Sequence, residues 1–283
     1  MSAPITLAAS VVVFKRELEQ KQLSIEDVMR ACADLGIPAL EVRDEQGLGL
    51  PPADAPAAEL ARACERLRLL SSGIGVELIV ASGASLGLEA DCPRLLRAID
   101  AAHSLGSPVV RVFLPKLATW HVGADFDHSV VQPLEPVLRA ADAAGVLLCV
   151  ENTSSPEGSV SRIMGFVDQV ESQLGLSIGM TLDTGNCLMN EQDGDPRQAA
   201  KLAGRRVRYV HLKDVRCDMD SNLKDCAPGF GSIDFRSFFG ELNAGCFQGY
   251  ACFEFDGAGE GLVWLGNALS KEVYHADNHG CGA

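Results

Sequence analysis

Short apolar runs rich in β-branched residues alternate along this chain with longer segments whose apolar positions recur every three or four residues. The first pattern predicts strands and the second predicts amphipathic helices. A strand is expected over 5–13. A helix follows Ser24-Ile25-Glu26-Asp27, where hydroxyl and carboxylate stand at capping-box spacing. Next come a strand over 38–43, a helix over 57–70, a strand over 75–80 and a helix over 93–105, with Pro93 at its first position. A strand over 109–114 and a helix over 129–144 complete the first half. The runs 146–151, 178–183, 207–211 and 250–254 supply strands five to eight, with helices over 159–174, 196–203, 235–243 and 261–274.

Eight strand–helix units without a linker imply parallel strands joined by right-handed crossovers, and eight such units close into a (β/α)8 TIM barrel. One domain spanning 1–283 is expected. An open doubly wound sheet would need a glycine-rich turn after its first strand, and Ala9-Ser10-Val11-Val12 is not one. Counting back in twos from the ends of the last four strands puts Cys149, Leu147, Thr181, Gly179, Tyr209, Cys252 and Tyr250 inside the barrel. Met180, Leu182, Val210, Leu212 and Phe253 then face the helices. Both sets are mostly apolar, as strands covered on two faces require.

Those last four runs end, in chain order, on Glu151, Asp183, His211 and Glu254. Each lands at the C-terminal rim of a parallel sheet, where barrels carry their chemistry. Taken singly, an acid past a strand reads as a solvated cap or half an ion pair, and a lone histidine as a hydrogen-bonded core residue. Taken jointly, three carboxylates and an imidazole at one rim repel one another unless a cation joins them, and a divalent metal ion is the simplest one.

The 283 residues carry a net charge of −14 and no block of Lys or Arg, which argues against a nucleic-acid partner. No apolar stretch approaches a membrane span, and the N-terminus lacks the basic-then-apolar order of a signal peptide. Ten cysteines without a Cys-x-x-Cys pair suggest reduced thiols and a cytoplasmic location. The segment 275–283 reads as a mobile surface tail or an oligomer contact.

The segments Val150-Glu151-Asn152, Leu182-Asp183-Thr184-Gly185-Asn186, Val210-His211-Leu212-Lys213-Asp214, Gly229-Phe230-Gly231-Ser232-Ile233-Asp234 and Phe253-Glu254 resemble those of the xylose isomerase-like TIM barrels, grouped as sugar phosphate isomerases and epimerases. The likeness covers essentially the whole chain. It implies that Glu151, Asp183, His211 and Glu254 bind one divalent ion, manganese, magnesium or cobalt above zinc or iron. It also implies that Glu151 and Glu254 form the acid–base pair on a small-molecule sugar or polyol ketone. The expected reaction is proton abstraction α to a carbonyl through an enediolate, giving an isomerase or epimerase. A dehydratase of a cyclic polyol ketone, like inosose or dehydroshikimate dehydratases, is the alternative. An endonuclease IV-like enzyme or a non-catalytic barrel is more remote, and a homo-oligomer stays open.

Many members of that family carry histidine where this chain has Asn186, which is either a substrate contact or a turn residue. Lys213 shares a face with His211 and either reaches a substrate oxygen or pairs with Asp214 at the rim. The N–H groups around Gly231 could face a substrate oxygen or phosphate, or simply belong to a loop. Trp120 and His121 offer a wall for a sugar ring, or pack beneath their own loop. Glu41, with Arg43, either meets substrate or forms a structural ion pair.

Overall fold

Apolar runs of about five residues leave no polar face to turn toward water, so each must be covered on both sides. The computed structural model describes residues 5–114, 131–218, 220 and 222–271 and satisfies this by closing eight parallel strands into a barrel. They are β1 (Thr6–Ser10), β2 (Ala39–Arg43), β3 (Glu77–Ser85), β4 (Val109–Phe113), β5 (Leu147–Glu151), β6 (Gly179–Asp183), β7 (Val207–Leu212) and β10 (Tyr250–Phe253). Their order around the barrel is β1-β10-β7-β6-β5-β4-β3-β2. Helices connect them on the outside, and an antiparallel hairpin of β8 (Asp214–Cys217) and β9 (Leu223–Cys226) is inserted after β7.

Strand parity sorts the core into two parts. Ala8, Ala39, Ile79, Val109, Cys149, Tyr209 and Cys252 fill the lumen, with Leu147 and Tyr250 packed against them. Met180, Leu182, Val210, Leu212 and Phe253 lie in the much larger layer between strands and helices. Burying each of these large side chains contributes about 1.5–3 kcal/mol, so the helix layer carries most of the hydrophobic stabilisation. Among the described residues no helix is long and apolar enough to cross a membrane.

Local chemistry sets several boundaries. Ser24 and Asp27 form the expected capping box at the start of the helix Ile25–Asp34. Pro196 opens the helix Pro196–Ala203. The first strand stops at Ser10 instead of reaching residue 13, because Ser10 Oγ accepts Val12 N–H and starts a 3-10 turn over Val11–Phe14. Val11, Val13 and Phe14 are all buried, so a buried turn and a buried strand look alike in hydropathy. The helix expected to end at residue 70 runs Ala57–Ile74, and Gly75 caps it in the left-handed region at φ 85°. That shifts β3 to start at Glu77. Eight cysteines among the described residues are free thiols, and burial pushes Cys32 and Cys149 up to about 12.

Candidate metal centre

Glu151 ends β5, Asp183 ends β6, His211 lies one residue before the end of β7, and Glu254 directly follows β10. The register pairs Asp183 with His211 and His211 with Cys252, so neighbouring strands bring these side chains to one level. Asn152 locks the β5–β6 junction: its Oδ1 accepts Asp183 N–H at 2.7 Å and its Nδ2 donates to Asp183 O at 3.1 Å. All four residues are buried, and each turns one ligand atom into a space where these atoms lie within 4.8 Å of one another.

One oxygen of each acid is already committed. Asp183 Oδ1 accepts Asn186 N–H at 2.7 Å, capping the short helix Thr184–Met189. Glu151 Oε2 lies 3.2 Å from Arg111 Nε, and Glu254 Oε1 is bound by Arg43. The other oxygens point inward. Asp183 Oδ2 and Glu254 Oε2 are buried yet accept no hydrogen bond, although Lys213 Nζ stands 3.1 and 3.0 Å away as an ion-pair partner. Carboxylate oxygens that converge on one buried space, faced there by an ammonium and an imidazole, fit a divalent cation.

Beneath this layer, Glu41 orients the imidazole. Its Oε2 lies 2.8 Å from His211 Nε2 and also accepts Tyr209 O–H at 2.8 Å, while Oε1 accepts Ser10 O–H at 2.8 Å. Nε2 faces Glu41 and Nδ1 faces the acids, 2.9 Å from Glu151 Oε1 and 3.5 Å from Glu254 Oε2, and as an imidazolium the ring donates from both nitrogens. A carboxylate behind a histidine is how metal-binding imidazoles are commonly held in one tautomer. Glu41 is fully buried, so its reading as a substrate contact is corrected: it does pair with Arg43, at 3.2 Å, but its main partners lie in the lumen.

Charge balance inside the cluster is tight. Burial alone would lower the His211 pKa, but the carboxylates of Glu41, Glu254 and Glu151 raise it to about 10. Burial raises Asp183 to about 7, against the pull of Lys213. Glu254 resists burial because Lys213, His211 and Arg43 hold it well below the usual carboxylate range. Lys213 is held well above the usual lysine range, against burial, by Asp183 and Glu254. The acids of the cluster are thus faced by the chain's own cations, Lys213, His211, Arg43 and Arg111.

The remaining sequence candidates separate. Lys213 meets Asp183 and Glu254, not Asp214. Asn186 sits in the first turn of its helix and donates from Nδ2 to Asn152 O at 3.0 Å, so it is not a left-handed turn residue. Gly231 needs correction: its N–H, with that of Gly229, is donated to Asp214 Oδ2 at 2.9 and 3.0 Å and is not free for a substrate oxygen. A Cβ at Gly231 would collide with the Asp214 carboxylate. Trp120 and His121 lie outside the described residues. Arg111 and Asn152 were not singled out from the sequence. Arg111 had a signal, a charged residue inside the apolar run Val109-Val110-Arg111-Val112. Beside Glu151 opens a cavity of about 360 Å³, lined among others by Ser85, Phe113, Thr153, Ser155 and Glu157.

The family described as the xylose isomerase-like TIM barrel matches residues 29–269. Among solved structures, a xylose isomerase domain protein from Planctomyces limnophilus is 16% identical, covering 95% of this chain and 96% of that one at a TM-score of 0.70. D-psicose 3-epimerase from Clostridium cellulolyticum H10, solved with D-tagatose, is 16% identical over 95% and 96% at a TM-score of 0.69. The IOLI protein with a bound zinc atom is 15% identical over 96% and 100% at a TM-score of 0.71. At such identities these structures share the fold, and function must be argued from the site. No curated protein matches the sequence significantly.

Proposed function

Because the chain belongs to the xylose isomerase-like TIM-barrel family, we propose that it is a divalent-metal-dependent isomerase or epimerase of a sugar or related polyol ketone. The observation that carries this reading is the convergence of Glu151, Asp183, His211 and Glu254 on one buried space. Three carboxylates and one imidazole suit manganese, magnesium or cobalt, and also zinc or iron. Such an ion, when bound, would polarise a carbonyl and a neighbouring hydroxyl of the substrate and make the C–H of the hydroxyl-bearing carbon more acidic.

The protein's own residues then divide the proton work. Glu151 reaches the centre from β5 and Glu254 from β10, with β6 and β7 between them, so the two carboxylates approach from separate sides. Arg111 beside Glu151 and Arg43 beside Glu254 favour the ionised carboxylates needed to remove a proton. Removal by one glutamate and return by the other inverts a carbon, which is epimerisation. Return to the adjacent carbon is isomerisation. The cavity beside Glu151, with its hydroxyl side chains and Phe113, suits a small hydroxylated ring or chain.

The test is solvent deuterium uptake α to the carbonyl across a panel of ketoses and cyclic polyol ketones, with and without added manganese. We expect metal-dependent exchange on at least one member. Glu151→Gln and Glu254→Gln should each lower it by about 10²–10⁴-fold. Absence of metal-dependent exchange throughout the panel would overturn the proposal. An ultraviolet-absorbing enone product would reassign the chemistry to a dehydratase.

A further inference from the structure

Lys213 occupies the place where a bound cation would have to act. Its ammonium stands 3.1 Å from Asp183 Oδ2 and 3.0 Å from Glu254 Oε2, the two oxygens without hydrogen bonds. A divalent ion would need these oxygens at about 2.0–2.6 Å, and two cations cannot share them at such distances without strong repulsion.

The placement is built, not incidental. Thr184 Oγ1 accepts Lys213 N–H at 3.0 Å and donates to Lys213 O at 2.7 Å, clamping the backbone from which the side chain leaves. The aliphatic stem then crosses Gly185, where a Cβ would meet Lys213 Cγ at 2.9 Å and Cδ at 3.0 Å. Asp183, Thr184 and Gly185 therefore supply in turn an oxygen for the ammonium, a clamp for its backbone and room for its stem. A second seat lies outward: Asp225 Oδ2 on β9 is 4.0 Å from the ammonium and half-exposed.

Resting on the metal site proposed above, we infer that Lys213 is an internal counter-ion. It holds the cation position of the ion-free protein and withdraws toward Asp225 when a divalent metal binds. The ammonium moves as a charge, with no proton transferred. Withdrawal leaves it at the barrel mouth, where it can meet an electronegative oxygen of the substrate. The β8–β9 hairpin thereby has a role in metal binding without supplying a ligand.

Manganese titration of the full chain by calorimetry, after chelator treatment, tests this. Lys213→Met should bind manganese at least about tenfold more tightly than the wild type, a difference of ~1.4 kcal/mol. Asp225→Asn should weaken binding about threefold when Lys213 is present and leave it unchanged in the Lys213→Met background. Unfolding followed by circular dichroism supplies a check that every variant folds. Added manganese should raise the melting temperature of Lys213→Met more than that of the wild type. Unchanged or weaker binding by folded Lys213→Met overturns the inference, while metal-dependent deuterium exchange by the wild type would leave the proposed function standing. An equal Asp225→Asn effect in both backgrounds overturns the outward seat. Failure of both Lys213 forms to bind manganese would defeat the metal site itself.

Discussion

At the scale of single residues, the division is between groups that hold the centre and groups that aim them. Glu41 never reaches solvent, yet it takes hydrogen bonds from Ser10 and Tyr209 and faces the imidazole of His211. Glu41→Gln keeps the shape but loses the charge and turns an amide N–H₂ toward one of its donors. Manganese affinity measured by calorimetry should fall by about 10–100-fold, the usual cost of removing a carboxylate behind a metal-binding histidine. Unchanged affinity would mean that His211 is held by packing alone. The four candidate ligands were legible because each terminates an apolar run. Glu41 and Arg111 were less so, since a charged residue within a strand reads the same whether it meets the substrate or another lumen side chain. Only the closed barrel brings Arg111 to Glu151 and Glu41 to His211.

At the scale of elements, the hairpin after β7 is the part least visible in the sequence. Its strands are four residues each and lack the alternation that marks a half-buried strand. What organises it is Asp214, fully buried, whose carboxylate accepts N–H groups from Val215, Gly229, Gly231 and Ile233 at 2.8–3.1 Å. Asp214→Ala would leave four backbone donors without their acceptor, a buried one on Val215 and part-buried ones on Gly229, Gly231 and Ile233. We expect a loss of about 2–4 kcal/mol in denaturant unfolding. Amide protection at 229–233 should drop while the strands stay protected. Uniform loss of protection across the barrel would contradict this local account. The short helix Thr184–Met189 was unread for a related reason: six residues give too little periodicity, and its start depends on the carboxylate of Asp183.

At the scale of the whole molecule, acid stability should depend on braces between barrel elements. Asp44, just past β2, accepts hydrogen bonds from Ser82 and Gly83 N–H on β3, and both Arg94 Nε and Nη2 at 2.8 Å. Burial pushes its carboxyl up, but Arg94 and Ser82 hold it below the usual aspartate value. A depressed folded-state pKa means that its stabilisation is present above the unfolded value of about 3.9 and is lost as pH falls through the folded one. Asp44→Asn should therefore cost about 2 kcal/mol at pH 7, and in thermal melts the gap should narrow as pH falls below the unfolded value of about 3.9. A gap independent of pH would show that shape, not charge, sustains the brace.

The sequence by itself determined the barrel, its strand parity and the four residues at its C-terminal rim. Those follow from local hydropathy, which the period of a strand or helix converts directly into a face. The tertiary structure decided what each charge meets. Lys213 lies on Asp183 and Glu254 and not on Asp214, Glu41 sits behind His211, and the Gly231 N–H is taken by Asp214. These pairings join residues 17 to 170 positions apart, and no local period carries that information. Distance between charges is settled only when the last strand closes against the first.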